Sequence, residues 1–165
     1  MGIPRFAVIS AAVGCISGCV SAYVPPASGD VAQITFNRYK DSTTAIQIYD
    51  VPQTCTSRHG VALLRSDAKK SIAVRAGAPV SVTMSVDRAV IPLPVGFIVR
   101  GCNPTITFTP EKDATYVANM VADSNACAIN LTRAEAGQAP ADVPGDEIHV
   151  RRWKRGFDEG SSFCD

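Results

Sequence analysis

The chain has 165 residues, with 16 basic and 15 acidic side chains and a formal net charge of +1. This length suits a single domain with a hydrophobic core. The balanced charge gives no support for nucleic-acid binding, which requires a surplus of basic side chains to neutralise phosphates.

The N-terminal stretch has the order of a secretory signal peptide. Residues 1–5 carry one positive charge, Arg5, and residues 6–16 are an apolar run of about 11 residues, followed by the small residues Ser17 and Gly18. This run is shorter than the roughly 20 residues that a transmembrane helix requires. We therefore expect residues 1–18 to be removed on export.

The residues Ile16-Ser17-Gly18-Cys19 resemble the lipobox of bacterial lipoproteins, in which a large aliphatic residue and two small residues precede a cysteine. The resemblance implies cleavage before Cys19, lipidation of Cys19 and anchoring of the protein to a membrane. It also implies the outer membrane, because Val20 stands where an aspartate tends to retain such proteins in the inner membrane. Ala12-Val13-Gly14-Cys15 is a weaker, alternative match.

The number of cysteines favours Cys19 over Cys15 as the lipidation site. The chain contains six cysteines, and cleavage before Cys19 discards Cys15 and lipidates Cys19. An even set then remains, which in an exported chain predicts two disulfides. The members of this set are Cys55, Cys102, Cys127 and Cys164. Lipidation of Cys15 would leave an odd cysteine.

The next segment is rich in turn-forming residues and is predicted to be a linker. Val20 to Asp30 contains Pro25-Pro26, Ser28 and Gly29. We therefore expect residues 19–30 to be a lipidated N-terminus with a flexible tether, and residues 31–165 to form one β-domain.

From Val31 onward, apolar and polar residues alternate in short runs, which is typical of β-strands. The clearest run is 80–86, where Val and Met alternate with Ser and Thr, so that one face is apolar and the other hydroxylated. Turn signals such as Arg58-His59-Gly60 separate the runs, and only Arg133 to Ala139 suggests a helix. The pattern predicts an all-β fold: an antiparallel β-sandwich, Ig-like or transthyretin-like, with about seven to nine strands and disulfide staples.

Four cysteines allow three pairings. If three predicted strands form an up-down-up meander, Cys102 and Cys127 lie at the same end of one sheet and can pair. These strands are 106–109, 115–121 and 127–132. Cys55 would then pair with Cys164. The segment from Cys102 to Cys127 also resembles a module of small proteobacterial envelope lipoproteins of unknown function, which supports the first pairing and implies no activity.

We predict neither catalytic residues nor a metal or cofactor site. His59 and His149 are interpreted as solvated residues, and the acidic pairs Asp146-Glu147 and Asp158-Glu159 as solvated loop charges. The chain contains no G-x-S-x-G, H-E-x-x-H or phosphate-loop motif. A non-enzymatic protein is therefore expected, with a hydrolase whose site is unrecognised as an alternative.

The most suggestive binding segment is Arg151-Arg152-Trp153-Lys154-Arg155, in which four cations flank an indole. Trp and Arg commonly anchor interfaces, so this segment is a candidate for contact with an envelope protein or a wall polymer. Alternatively, Trp153 covers the edge of the core while its neighbours stay in water. We expect a lipid-anchored structural or binding component of the cell envelope, or an adaptor that docks through this segment.

Overall fold

A computed structural model describes residues 20–92, 94–123, 126–134 and 139–165 of the chain, with the backbone alone described at 88–92 and 97–100. The predicted signal peptide, the lipobox and Cys19 lie outside the described residues. Among the described residues, no helix is long and apolar enough to cross a membrane.

The described residues form nine strands of four or more residues and three shorter ones. In chain order they are β1 (Ser21–Ala22), β2 (Val31–Asn37), β3 (Thr44–Val51), β4 (Thr56–Leu64), β5 (Lys69–Arg75), β6 (Val80–Pro92), β7 (Phe97–Cys102), β8 (Thr105–Phe108), β9 (Thr115–Ala122), β10 (Cys127–Ala134), β11 (Ala141–Asp142) and β12 (His149–Arg151). A single 3₁₀ turn, Gly145–Glu147, precedes β12. The predicted all-β class is confirmed.

The strands form two sheets that pack together as a sandwich. The seven-stranded sheet has the order β1-β4-β3-β6-β8-β12, with β7 paired to the distal part of β6. The five-stranded sheet has the order β11-β10-β9-β2-β5. Neighbouring strands are antiparallel except for two parallel pairs, β1 with β4 and β2 with β9. Both sheets are therefore mixed rather than purely antiparallel.

The core forms where the apolar faces of the two sheets meet. Ile34 and Phe36 of β2, Ile46 of β3 and Met84 of β6 are at most 1% exposed. Each occupies an alternate position of its strand, so the period of two directs these side chains to the same interior. The alternation read from the sequence therefore identified the buried face.

Both predicted disulfides are present, although the reason given for one of them was wrong. Cys102 pairs with Cys127, and Cys55 pairs with Cys164. The expected meander does not form, because β8 belongs to the seven-stranded sheet whereas β9 and β10 belong to the five-stranded sheet. The Cys102–Cys127 bond consequently joins the end of β7 to the start of β10 across the two sheets.

Two local predictions fail near the edge strand β4. Arg58-His59-Gly60 is not a turn but part of β4, and the chain turns at residues 52–55 instead. A Cβ atom at Gly60 would lie 3.6 Å from Val20 Cγ1, an ordinary van der Waals contact, so this strand position does not require a glycine. The suggested helix also fails in its described part, because Arg133 and Ala134 belong to β10.

The predicted tether is also partly incorrect. Ser21 and Ala22 pair with His59 and Gly60 as β1. The Tyr23 backbone N–H donates to the Gly60 carbonyl at 2.9 Å, and its hydroxyl donates to the carbonyl of Ala73 in β5 at 3.0 Å. Tyr23 thus spans the edge of both sheets. Residues 21–23 therefore belong to the folded domain, which does not begin at Val31.

Candidate functional site

The basic and aromatic segment 151–155 begins at the last residue of β12 and continues into a folded C-terminal tail, which we define as residues 152–165. Arg151 ends β12, and its Nε donates a hydrogen bond of 3.1 Å to Thr107 Oγ1. Trp153, which is half-buried, forms an isolated β-bridge with Cys164. The Lys154 N–H donates to the Phe163 carbonyl at 2.9 Å. The two arms of the tail therefore run side by side.

Two of the four cations in this segment are paired within the tail. Asp165 Oδ2 lies 2.6 Å from Arg152 Nη2, and Asp165 Oδ1 lies 3.2 Å from Lys154 Nζ. Hydrogen bonds from Arg152 and Lys154 hold the pKa of the Asp165 carboxyl below its usual value, and the bond that Arg152 donates to Asp165 raises the pKa of Arg152. The segment consequently offers an acidic partner less free positive charge than its sequence suggests.

Beneath the tail lies a buried hydroxyl ladder, formed by Tyr49, Ser81, Thr83, Thr105 and Thr107 on the outer face of the seven-stranded sheet. The Thr83 hydroxyl is 2.9 Å from the Tyr49 hydroxyl and 2.7 Å from that of Thr105. The hydroxyls of Ser81 and Thr107 are 2.5 Å apart. All five side chains are buried, and burial raises the pKa of Tyr49 while its Thr83 hydrogen bond opposes this shift.

Aromatic packing and a disulfide hold the tail over this ladder. The Phe163 ring centroid lies 6.2 Å from that of Tyr49, and the guanidinium of Arg58 lies 4.2 Å above the Phe163 ring. The Cys55–Cys164 disulfide fixes the end of the tail to the β3–β4 turn. Tyr49, Cys55, Phe163 and Cys164 form a second small core. The tail is therefore an integral layer on this sheet.

His59 is not a solvated loop residue, because it has a partner at each ring nitrogen. Its Nε2 lies 2.8 Å from Asp50 Oδ2, and its Nδ1 lies 2.7 Å from Ser21 Oγ. Since an ionised carboxylate accepts only, Nε2–H donates to Asp50, and in the neutral ring Nδ1 accepts from the Ser21 hydroxyl. This serine–histidine–aspartate array fastens β1 to β4. No sequence motif marked it, because the three residues are distant along the chain.

His149 lies beside a polar cleft of about 420 Å³ at the edge of the seven-stranded sheet. Thr107, Asp146, Glu147 and Arg151 contribute to its lining. Within this set, Glu147 Oε2 is 3.2 Å from Arg133, and Arg151 is bonded to Thr107. The cleft therefore contains groups of both charges, and most of them already have partners in the protein.

The loop 156–162 of the tail is tightly hydrogen-bonded and presents one aromatic ring to solvent. The Ser161 hydroxyl accepts from the backbone N–H groups of Phe157 and Asp158 at 3.0 and 3.1 Å. A Cβ atom at Gly156 would lie 2.6 Å from the Phe163 ring, so the backbone passes closely over that ring. Phe157 is nevertheless 100% exposed. A hydrogen-bonded loop thus displays a fully exposed aromatic side chain.

The pair Asp158-Glu159 has structural partners, contrary to the prediction of solvated charges. Asp158 Oδ1 accepts from the Gly160 N–H at 3.1 Å. Glu159 receives two hydrogen bonds from the Arg58 guanidinium, one of them 3.0 Å long. Among the described residues, no group of three or more His, Cys, Asp or Glu side chains is arranged to hold a metal ion.

No protein-family model, curated protein or solved structure matches this chain. The candidate sites therefore rest on the chemistry and geometry of the chain itself.

Proposed function

We propose that this protein is a lipid-anchored, non-catalytic component of a bacterial cell envelope, held by Cys19 in the outer membrane, that serves as a binding or structural domain. The lipobox at residues 16–19 supports this proposal, together with the apolar run that precedes it. Several acyl chains on one residue would exceed the two signals that stable anchoring requires.

One observation carries the proposal. All four cysteines that follow Cys19 are joined in two disulfides. Disulfides persist in oxidising compartments, such as the bacterial periplasm and cell surface, and are rare in the cytosol. Cleavage before Cys19 would leave no unpaired cysteine for unwanted exchange, since Cys15 is discarded and the Cys19 sulfur carries lipid.

The anchor is tested by comparing Cys19→Ser with its matched control, Cys15→Ser. Each variant is expressed in full in a diderm bacterium with radiolabelled palmitate, and the membranes are then fractionated. We expect Cys19→Ser to lose the label and its membrane association, whereas Cys15→Ser keeps both. Lipidation at Cys19 would be refuted if Cys19→Ser kept the label or if the wild type carried no label.

The adaptor alternative gains less support. Its segment contains four cations, but Arg152 and Lys154 are bound to Asp165. A pull-down from solubilised envelopes that compares the wild type with Trp153→Ala plus Arg152→Ala tests it. Equal recovery of partners would reject this segment as the docking site.

A serine hydrolase is the second candidate function, because Ser21, His59 and Asp50 form a nucleophile–base–orienter array. In such a reaction Ser21 Oγ would bond to a substrate carbonyl carbon while its proton passes to His59 Nδ1. His59 would return that proton to the leaving group, and water would then release the acyl group from Ser21.

A fluorophosphonate reagent distinguishes the two candidates. The non-catalytic proposal predicts no labelling above that of a Ser21→Ala variant. Covalent labelling at Ser21 that disappears in both Ser21→Ala and His59→Ala would establish the hydrolase instead. An Asp50→Asn variant is an intermediate control for this labelling, because it keeps the shape of the array and removes only the carboxylate charge of Asp50.

A further inference from the structure

The docked N-terminal strand limits how far the domain can move from a lipid on Cys19. Ser21 is paired with His59, so only Val20 separates the predicted lipid site from a residue fixed on the sheet. Two residues span at most about 7 Å. A domain anchored in this way rests against the bilayer, whereas an eleven-residue free tether would have allowed it to stand away.

The contacts of β4 show which part of the domain lies next to this attachment point. His59 pairs with Ser21, and the residue before it, Arg58, binds Glu159 in the loop 156–162. Arg58 also stacks on Phe163, which packs on the β3–β4 turn through its N–H bond to the Cys55 carbonyl. The attachment point and the loop therefore adjoin the same short stretch of β4.

This loop has the properties of an interfacial membrane contact. Phe157 in this loop is fully exposed, and Arg155, which precedes the loop, is also exposed. Aromatic rings concentrate at the interface between lipid and water, and cationic side chains are drawn to anionic headgroups. Of the two acidic side chains in the loop, Glu159 is paired with Arg58, which reduces repulsion from such a surface. The other, Asp158, is exposed and accepts hydrogen bonds from the Gly160 N–H and the Ser161 hydroxyl.

We propose that the loop 156–162 is the membrane-contacting surface of the anchored domain, with Phe157 inserted at the lipid–water interface. This inference rests on the proposed lipid anchor at Cys19. The tail thus has two roles: its inner side covers the hydroxyl ladder, and its outer loop meets the bilayer. The partner is the lipid surface itself, rather than a second protein.

The test places a fluorescent reporter at each end of the molecule. Phe157→Trp introduces an indole at the loop, and Val95→Trp is the matched control. Val95 is 92% exposed and follows β6. The first residues of β6 lie beside the β3–β4 turn, where Ser81 pairs with Tyr49, and the strand runs away from that turn. Native Trp153 gives the same background in both variants.

The full-length lipidated proteins are reconstituted into phosphatidylethanolamine–phosphatidylglycerol vesicles that contain brominated acyl chains. We expect the added emission of Phe157→Trp to shift to the blue and to lose intensity by contact with bromine, whereas Val95→Trp keeps the emission of a solvated indole. A free-thiol assay on each variant verifies that both disulfides, and hence the fold, are retained.

Vesicle flotation separates failure of the contact from failure of the anchor. If the proteins float but the Phe157→Trp emission is neither shifted nor quenched, the membrane contact is wrong while the anchor stands. Equal quenching in the two variants would also overturn the contact, because the domain would then have no preferred face. If the wild type does not float, both proposals fail.

Discussion

The outer faces of the two sheets carry similar hydroxyl residues but have different surroundings. On the five-stranded sheet, the Thr35 and Ser71 hydroxyls are 2.8 Å apart and exposed to solvent. On the seven-stranded sheet, the hydroxyls of Thr83 and Thr105 are 2.7 Å apart and fully buried. On this sheet Tyr49 is bonded to Thr83 and packs in turn on Phe163 of the C-terminal tail.

The comparison shows that an alternating strand pattern identifies the two faces without revealing what covers the polar one. A buried hydroxyl needs a partner, because an unpaired polar group in the interior costs about 1–3 kcal/mol. The ladder satisfies this requirement by pairing hydroxyls across adjacent strands. The ladder consequently forms a buried polar layer next to the second small core, with Tyr49 belonging to both.

Loss of the disulfide that holds the tail should have the largest effect on the free energy of unfolding. Cys55→Ala plus Cys164→Ala opens a closure of 109 residues, for which the chain-entropy model gives roughly 4–5 kcal/mol. Cys102→Ala plus Cys127→Ala opens one of 25 residues, worth roughly 3–4 kcal/mol in the same model. Urea unfolding of both variants shows which one loses more free energy of unfolding. A greater loss for the shorter closure would show that the tail is not held mainly by its disulfide.

The ladder itself is tested by removing one hydroxyl. Thr83→Val keeps the shape of the side chain but leaves the hydroxyls of Tyr49 and Thr105 without this partner, and we expect a loss of about 1–3 kcal/mol. The matched change on the uncovered sheet, Thr35→Val, should stay within about 0.5 kcal/mol. Chemical unfolding gives both values, and equal losses would contradict the contrast between the two faces.

The close packing of the tail loop predicts a smaller loss. Gly156→Ala would place a Cβ atom 2.6 Å from the Phe163 ring, so the ring or the loop must shift at a cost of about 1–2 kcal/mol. Gly145→Ala is the control, because nothing lies within 4 Å of its Cβ position. Thermal unfolding compares them. An unchanged midpoint for Gly156→Ala would mean that the loop moves freely over Phe163.

Removal of an ion pair of the tail should have the smallest effect on stability. Arg152→Gln removes the main cause of the lowered Asp165 pKa, so that pKa should rise toward its usual value. Because the folded-state pKa is depressed, the pair contributes stability at neutral pH and loses it as the pH falls through that pKa. NMR titration of the Asp165 carboxyl carbon measures the change. An unaltered titration would assign the shift to Lys154.

The sequence predicted well those features that depend on local periodicity. The alternation along β2 and β6 indicated their buried faces, and the even cysteine set indicated two disulfides. The Cys102–Cys127 pairing was correct although its topology was wrong, since the two cysteines meet across sheets. Local composition could not show that β8 and β9 occupy different layers.

The misses share a physical cause, which is that partners distant along the chain decided the outcome. Pro25-Pro26 indicated a linker, but Ser21 and Ala22 pair with β4 and form an edge strand of the seven-stranded sheet. Gly60 indicated a turn, whereas it lies within β4 and pairs with Ala22 of β1 and Gln47 of β3. His59 was predicted to be solvated, whereas Ser21 and Asp50 lie within hydrogen-bond distance of its two ring nitrogens.

The parallel pairing of β2 with β9 has a consequence for biogenesis. Gln33 aligns with Thr115, so the centre of the five-stranded sheet cannot close until β9 is available. Long-range pairing of this kind slows folding. We therefore expect the chain to stay unfolded while most of it is still being synthesised. A fragment of residues 19–114 should accordingly show no cooperative unfolding transition by circular dichroism.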